Sequence, residues 1–168
     1  MGGKLEQDQH ARPLSLKAVT AITGFFGGIF WGAIGWLFHI FHFTELQPST
    51  ILEPWAAGDW KYSWQGSVIS LIFLGLIGIF AAFIYYYTLK RFQNVWTGIL
   101  YGVVLFAIVF FLLNPLFPSL NDISKLSVNT IITTLCLYIL FGLFVGYSIS
   151  YEYNEQMMKE ALAKKDEK

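Results

Sequence analysis

The fold of this chain of 168 residues is constrained most by four long apolar stretches that contain no Lys, Arg, Asp or Glu. They are residues 18–43, 66–89, 95–113 and 128–151. A helix rises about 1.5 Å per residue, so roughly 20 apolar residues cross a hydrocarbon core about 30 Å thick. Each stretch is near or above that length. Backbone polar groups in lipid must be paired within the segment, and these stretches lack the alternating pattern of barrel strands. The sequence therefore predicts an all-α membrane protein, a bundle of four transmembrane helices.

Positive charges are distributed unequally around the four stretches. Nine of the eleven Lys and Arg residues precede the first stretch, separate the second from the third, or follow the fourth: Lys4, Arg12, Lys17, Lys90, Arg91, Lys159, Lys164, Lys165 and Lys168. The other two connections hold only Lys61 and Lys125. Because cytoplasmic segments close to a membrane carry an excess of Lys and Arg, we expect both termini to lie in the cytoplasm.

The chain ends differ from the apolar region between them. Residues 1–17 mix charges, Gly and Pro without an apolar period, which predicts a mobile cytoplasmic tail. Residues 18–151 form the predicted transmembrane domain. Residues 152–168 contain two acid–base pairs four positions apart, Glu155 with Lys159 and Glu160 with Lys164. Pairs at this spacing stabilise helices, so we predict that the fourth helix continues into the cytoplasm.

Small residues recur at four-residue spacing in every predicted span. In lipid, close approach of helix backbones at small residues replaces the hydrophobic effect as a source of association. Since all four spans carry the pattern, we favour packing within one chain over the alternative, a homodimer interface through the first helix. The predicted packing residues are Gly24, Gly28, Gly32, Gly78, Ala82, Gly98, Gly102, Gly142, Gly146 and Ser150.

A few polar residues mark the predicted outer ends of the spans. His39, His42 and Glu45 recur every three residues at the end of the first span, and Asn114 follows the third. Two imidazoles and a carboxylate can share a metal ion or a proton, which gives one hypothesis, a membrane metal-binding enzyme. A zinc site needs three or four ligands of defined geometry, and the sequence has no second His or Cys cluster. Histidines that extend to the aqueous interface explain the same residues.

Several membrane chemistries lack the residues that they require. A bis-histidine haem needs histidines at matching depth on facing helices, but the only other histidine is His10. Thiol exchange needs paired cysteines, and Cys136 is alone. Proton-coupled transport normally uses an intramembrane acid or histidine. We therefore predict a non-enzymatic protein without a cofactor or a nucleic-acid partner, which acts in the lipid bilayer by helix packing, by oligomerisation or by holding another membrane protein.

A pair of short matches at one offset supports an alternative function. Residues 28–32 resemble residues 98–102, and residues 46–49 resemble residues 116–119, since 98 − 28 = 70 and 116 − 46 = 70. Two hairpins related in this way would form a parallel duplication, an arrangement that some transporters use. The alternative hypothesis is a protein that transports or handles a small solute or a lipid.

Three segments carry a resemblance to a known family: Thr-Thr-Leu-Cys-Leu-Tyr at 133–138, Phe-Val-Gly-Tyr-Ser-Ile-Ser at 144–150 and Asn-Pro-Leu-Phe-Pro at 114–118. With the first span and His-Phe-Thr-Glu at 42–45, they resemble the YqhR family of conserved bacterial membrane proteins. The resemblance extends from about Lys4 to the start of the C-terminal tail. It implies residence in a bacterial cell membrane, and it assigns no catalytic or binding residue.

Overall fold

A computed structural model of the protein describes residues 15–54, 56, 58–92, 94–112 and 126–166. All regular structure within these residues is helical, and four helices are long and apolar enough to cross a membrane. They are α1 (Leu16–Ile40), α2 (Trp64–Thr88), α3 (Val95–Ala107, continued by the π-helical turn Ile108–Leu112) and α4 (Val128–Asp166). The predicted fold class, an all-α bundle of four membrane-spanning helices, is confirmed. Most of the predicted N-terminal tail and Asn114 lie outside the described residues.

Helix α1 begins and ends earlier than its uncharged stretch. It begins at Leu16 because the side chain of Ser15 accepts a hydrogen bond from the backbone N–H of Ala18, at 3.3 Å. This N-cap satisfies one of the donors that a helix start leaves free. The helix ends at Ile40, three residues before the predicted end of the span.

A Schellman motif at His42 ends α1. His42 has a φ of 61° and donates its N–H to the carbonyl of His39, while Phe43 donates to the carbonyl of Phe38 at 2.9 Å. The rings of Phe38 and Phe43 then pack edge to face, with centroids 6.0 Å apart. These are the two backbone bonds and the apolar contact of the motif, in which glycine usually takes the left-handed position. His42 therefore lies beyond the helix, although the uncharged stretch of the first span continues to residue 43.

The two helices of the second half each depart from a simple span. The last turn of α3 is π-helical, and within it Phe110 is buried and stacks on Phe106, with ring centroids 4.5 Å apart. Helix α4 has 39 residues. At about 1.5 Å per residue it is roughly 58 Å long, about twice the thickness of a hydrocarbon core. In its last part, Lys159 Nζ lies 2.6 Å from Glu155 Oε1.

The helices pack as two antiparallel hairpins, hairpin A (α1 and α2) and hairpin B (α3 and α4). Helix α1 joins the hairpins, because Gly27 faces Phe144 and Gly35 faces Leu137, both on α4. The connection 41–63 lies at one end of the bundle, called here the loop end. The start of α1 and the last part of α4 lie at the opposite end, called the tail end.

The connection 41–63 is tied to the start of α4 by one buried hydroxyl. Thr130, which is 0% exposed, accepts a hydrogen bond from the backbone N–H of Glu45 at 3.0 Å and another from the Ser127 hydroxyl at 2.9 Å. Ser127 in turn accepts from the Thr130 N–H at 3.3 Å, as the N-cap of α4. Thr130 therefore links the loop of hairpin A to the first turn of α4, in hairpin B.

Replacing Thr130 by Val should loosen this link without changing side-chain volume. Losing the hydrogen bond to the Glu45 N–H, worth about 1 kcal/mol, should raise amide hydrogen exchange at Glu45 about fivefold. Thr133→Val is the control, because Thr133 makes no hydrogen bond with the described residues. Unchanged exchange at Glu45 in Thr130→Val would contradict this role.

Candidate functional site

Glycines bring the two helices of hairpin A into backbone contact. A methyl group added at Gly24 would lie 2.5 Å from the carbonyl oxygen of Gly78 and 2.7 Å from the Cβ of Ala82. One added at Gly28 would meet the backbone of Leu74 and the Cα of Gly75, the latter at 2.9 Å. The pair Gly24 and Gly28 on α1 thus encloses Gly78 on α2, and only glycine permits this approach.

Hairpin B repeats this arrangement with its own glycines. A methyl group at Gly142 on α4 would lie 2.5 Å from the carbonyl oxygen of Gly98 and 2.6 Å from the backbone nitrogen of Gly102, both on α3. A pair of glycines on the first helix again encloses one glycine on the second. The two glycine pairs that make equivalent contacts are 74 positions apart in the sequence, since 98 − 24 = 74. The short sequence matches are 70 positions apart, so they do not correspond to these contacts.

The remaining predicted packing residues also face other helices of the same chain. A methyl group at Gly32 would lie 2.8 Å from the Leu74 side chain on α2, and one at Gly146 would lie 3.2 Å from the Tyr85 hydroxyl. Ala82 is fully buried within a core cluster that contains Tyr85. The glycine stripe of α1, which the sequence offered as a dimer interface, therefore contacts α2 within one chain.

A cavity of about 290 Å³ lies between the two hairpins, towards the loop end. All four helices and the 3-10 turn Pro48–Leu52 contribute to its wall. On α1 the wall consists of small residues beside Trp31, namely Gly28, Gly32 and Gly35. No Lys, Arg, Asp or Glu is among the described residues that line it. The same glycines that let α1 approach α2 leave this space open towards α3 and α4.

The cavity wall contains a few polar groups that have no hydrogen-bond partner among the described residues. Thr134 and Tyr138 of α4 and Gln47 of the loop line the cavity, and their side chains make no hydrogen bond with any described residue. The indole nitrogen of Trp31 is buried without a hydrogen-bond partner in the described part of the chain. Thr134, Tyr138 and Gln47 are half-buried, whereas the Trp31 nitrogen is fully buried, and buried polar groups in proteins are normally paired. The wall is therefore a candidate place for a ligand.

Tyrosines fill the bundle on the tail-end side of this cavity. Tyr101 donates a hydrogen bond to the carbonyl of Ala81 at 2.6 Å, which ties α3 to α2. Its ring packs edge to face on that of Tyr85, with centroids 5.1 Å apart. The bundle is therefore solidly packed around these two tyrosines.

A chain of hydrogen bonds extends from Tyr85 to the turn between α2 and α3. The Ser150 hydroxyl donates to the carbonyl of Phe92 at 3.1 Å and lies 3.2 Å from the Tyr85 hydroxyl. Because Ser150 uses its proton on Phe92, Tyr85 donates to Ser150. Ser150 was predicted to be only a small packing residue, and its hydroxyl joins both hairpins.

The polar residues predicted at the outer ends are placed in the loop connection. His39 Nδ1 lies 3.2 Å from the carbonyl oxygen of Thr44, so the bond forms when Nδ1 carries the proton. His42 occupies the helix C-cap, and Glu45 uses its backbone N–H to bind Thr130. No group of three His, Cys, Asp or Glu within the described ranges is placed to hold a metal ion. Asn114 lies outside those ranges.

Sequence reasoning did not identify the cavity or the bond between Tyr85 and Ser150. Both depend on residues from different helices, and Tyr85 and Ser150 are 65 positions apart. The spacing of Thr134 and Tyr138 on one face of the fourth span was the one available signal for the polar wall.

Comparisons with known proteins give a consistent result. The model of a family described as "Conserved membrane protein YqhR" matches residues 2–165. The chain is also 49% identical over 152 residues to "Uncharacterized protein YqhR" of Bacillus subtilis (strain 168), an alignment that covers 90% of this chain and 85% of that protein. No solved structure matches the chain.

Proposed function

We propose that this chain, which belongs to the YqhR family of conserved membrane proteins, is a non-enzymatic membrane protein. In this proposal it binds the apolar chain of a lipid between its two hairpins. The resemblance noted in the sequence is confirmed. The observation that carries the proposal is the cavity, which all four helices line with mainly apolar residues.

The size and chemistry of the cavity favour an apolar chain over a polar solute. Ligand cavities usually measure about 300–1,000 Å³, so 290 Å³ accommodates one narrow chain. A polar or charged solute would lose its hydration against a wall that supplies few hydrogen bonds and no charge among its described residues. The transport hypothesis offered a small solute or a lipid as the ligand. The apolar lining of the cavity favours the lipid.

We propose that the protein resides in a bacterial plasma membrane with both termini in the cytoplasm. The excess of Lys and Arg at the predicted inner segments supports this orientation. In this orientation the cavity lies in the outer half of the membrane. A second copy or another membrane protein would bind at a face other than the α1 glycine stripe, since α2 covers that stripe.

Filling the cavity should prevent lipid binding. In Gly35→Leu, the new Cβ would meet only Leu137 Cδ1, at 3.4 Å, so the side chain can enter the cavity without a backbone clash. Adding atoms to a filled site costs about 1–3 kcal/mol, so we expect lipid occupancy to fall about tenfold or more. Native mass spectrometry of protein released from mild detergent would measure the bound lipid.

The matched control is Leu37→Phe, a change on the same helix at a residue that is 48% exposed. It should retain the bound lipid. Equal lipid occupancy in Gly35→Leu and Leu37→Phe, with both variants folded by circular dichroism, would exclude the cavity as the binding site.

A further inference from the structure

The polar groups of the cavity wall are arranged as a site for the head of the bound molecule. Thr134 and Tyr138 are four residues apart, so they lie one above the other on the same face of α4. The Tyr138 ring is held edge to face against Phe106 and Phe110, with centroid distances of 5.9 and 6.5 Å. Two residues that carry hydroxyls therefore line one wall of a mainly apolar space.

The hydroxyl of Thr134 differs from those of Thr20 and Ser70. Thr20 and Ser70 each donate to the carbonyl four residues earlier, at 2.8 and 2.7 Å, which satisfies them within the helix. The Thr134 hydroxyl makes no such bond to the carbonyl of Thr130. The Thr130 hydroxyl accepts a hydrogen bond from the backbone N–H of Glu45 in the loop. Neither the Thr134 hydroxyl nor the Tyr138 hydroxyl has a hydrogen-bond partner within the described ranges.

The loop also provides an amide to the lining of the cavity. Gln47 precedes the turn Pro48–Leu52, and its side chain does not cap that turn. It lines the cavity at the loop end, whereas Gly28 and Ala81 line its deeper part. Gln47 thus contributes a polar group at the loop end, and the lining at Gly28 and Ala81 is apolar.

We infer that the cavity binds a single-chain lipid with an uncharged, hydrogen-bonding head, such as a fatty alcohol or a monoacylglycerol. The inference rests on the proposed function and specifies its ligand. The head binds Thr134 and Tyr138 near Gln47, and the chain extends along the glycine wall towards Ala81. A phosphate or carboxylate head has no cation among the described lining residues, so its desolvation would be uncompensated. The volume of about 290 Å³ favours one chain over two.

Photolabelling in phosphatidylcholine nanodiscs tests this specificity with three probes. The probes are hexadecanol, hexadecyl phosphate and hexadecane, each with the same diazirine in the chain. We expect the alcohol to label peptides of α1 and α4, and the phosphate to label them about tenfold less. In the double variant Thr134→Val/Tyr138→Phe, labelling by the alcohol should fall about thirtyfold, the factor expected from losing two neutral hydrogen bonds of about 1 kcal/mol each. Labelling by hexadecane should not change.

Controls separate this inference from the proposed function. Thr133→Val, at a neighbour that does not line the cavity, should label as the wild type does. If the double variant labels normally with the alcohol, or if the phosphate labels as well as the alcohol, the inference is wrong and the lipid cavity stands. If Gly35→Leu reduces labelling by none of the probes, both the inference and the proposed function are wrong.

Discussion

Gly28→Ala should destabilise the bundle, whereas Gly35→Ala on the same helix should stabilise it. The new Cβ at Gly28 would meet the backbone of Leu74 and Gly75, which cannot move without separating α1 from α2. Overpacking of this kind costs about 1–3 kcal/mol or more. At Gly35 the nearest atom is the end of a Leu137 side chain at 3.4 Å, so the Ala substitution retains its helix-propensity gain of up to about 1 kcal/mol.

Steric trapping or unfolding in mixed micelles would measure the free energy of unfolding of each variant. Gly142→Ala should behave like Gly28→Ala, because its Cβ would meet the backbone of Gly98 and Gly102. The two α1 variants have the same change in composition and helix propensity, so they differ only in what the added methyl group contacts. A loss of stability of equal size in both would contradict the packing described for hairpin A.

The second large effect is expected at Tyr85. This side chain is 1% exposed within the cluster of Tyr101, Val145 and Ile149, so Tyr85→Ala should leave a large void and cost about 3–5 kcal/mol. Tyr85→Phe retains the ring and loses the hydrogen bond to Ser150, at a cost of about 0.5–1.5 kcal/mol.

Tyr87 provides the matched control for these variants. It belongs to the same run of three tyrosines but is 70% exposed, so Tyr87→Ala should change the unfolding free energy by less than about 0.5 kcal/mol. The expected order of stability loss is therefore Tyr85→Ala, then Tyr85→Phe, then Tyr87→Ala. Similar losses for Tyr85→Ala and Tyr87→Ala would show that the tyrosine cluster does not hold the hairpins together.

The absence of charge in the four stretches was sufficient to predict the number of helices and the fold class. Charge does not locate helix ends precisely, and α1 shows why. His42 takes a left-handed conformation that glycine usually occupies, so the sequence has no ordinary stop signal at this position. Ser15 was a usable start signal, because its side chain caps the first turn.

Pairing between helices was much harder to predict than the helices themselves. The four-residue spacing identified the small residues, but not that Gly78 sits between Gly24 and Gly28. The register of each glycine contact sets which residues meet across the bundle, and hence which face the cavity. Thr134 and Tyr138 appeared in the sequence only as ordinary polar residues of an apolar span, since their lack of partners is a property of the assembled bundle.

The length of α4 has a mechanical consequence. One uninterrupted helix carries Thr134 and Tyr138 in the cavity wall and, about six turns further on, the exposed side chains of Met158 and Leu162. Without a proline to form a hinge, such a helix acts as a lever arm. A small tilt of α4 at the cavity would therefore produce a larger displacement at Leu162, at the opposite end of the molecule.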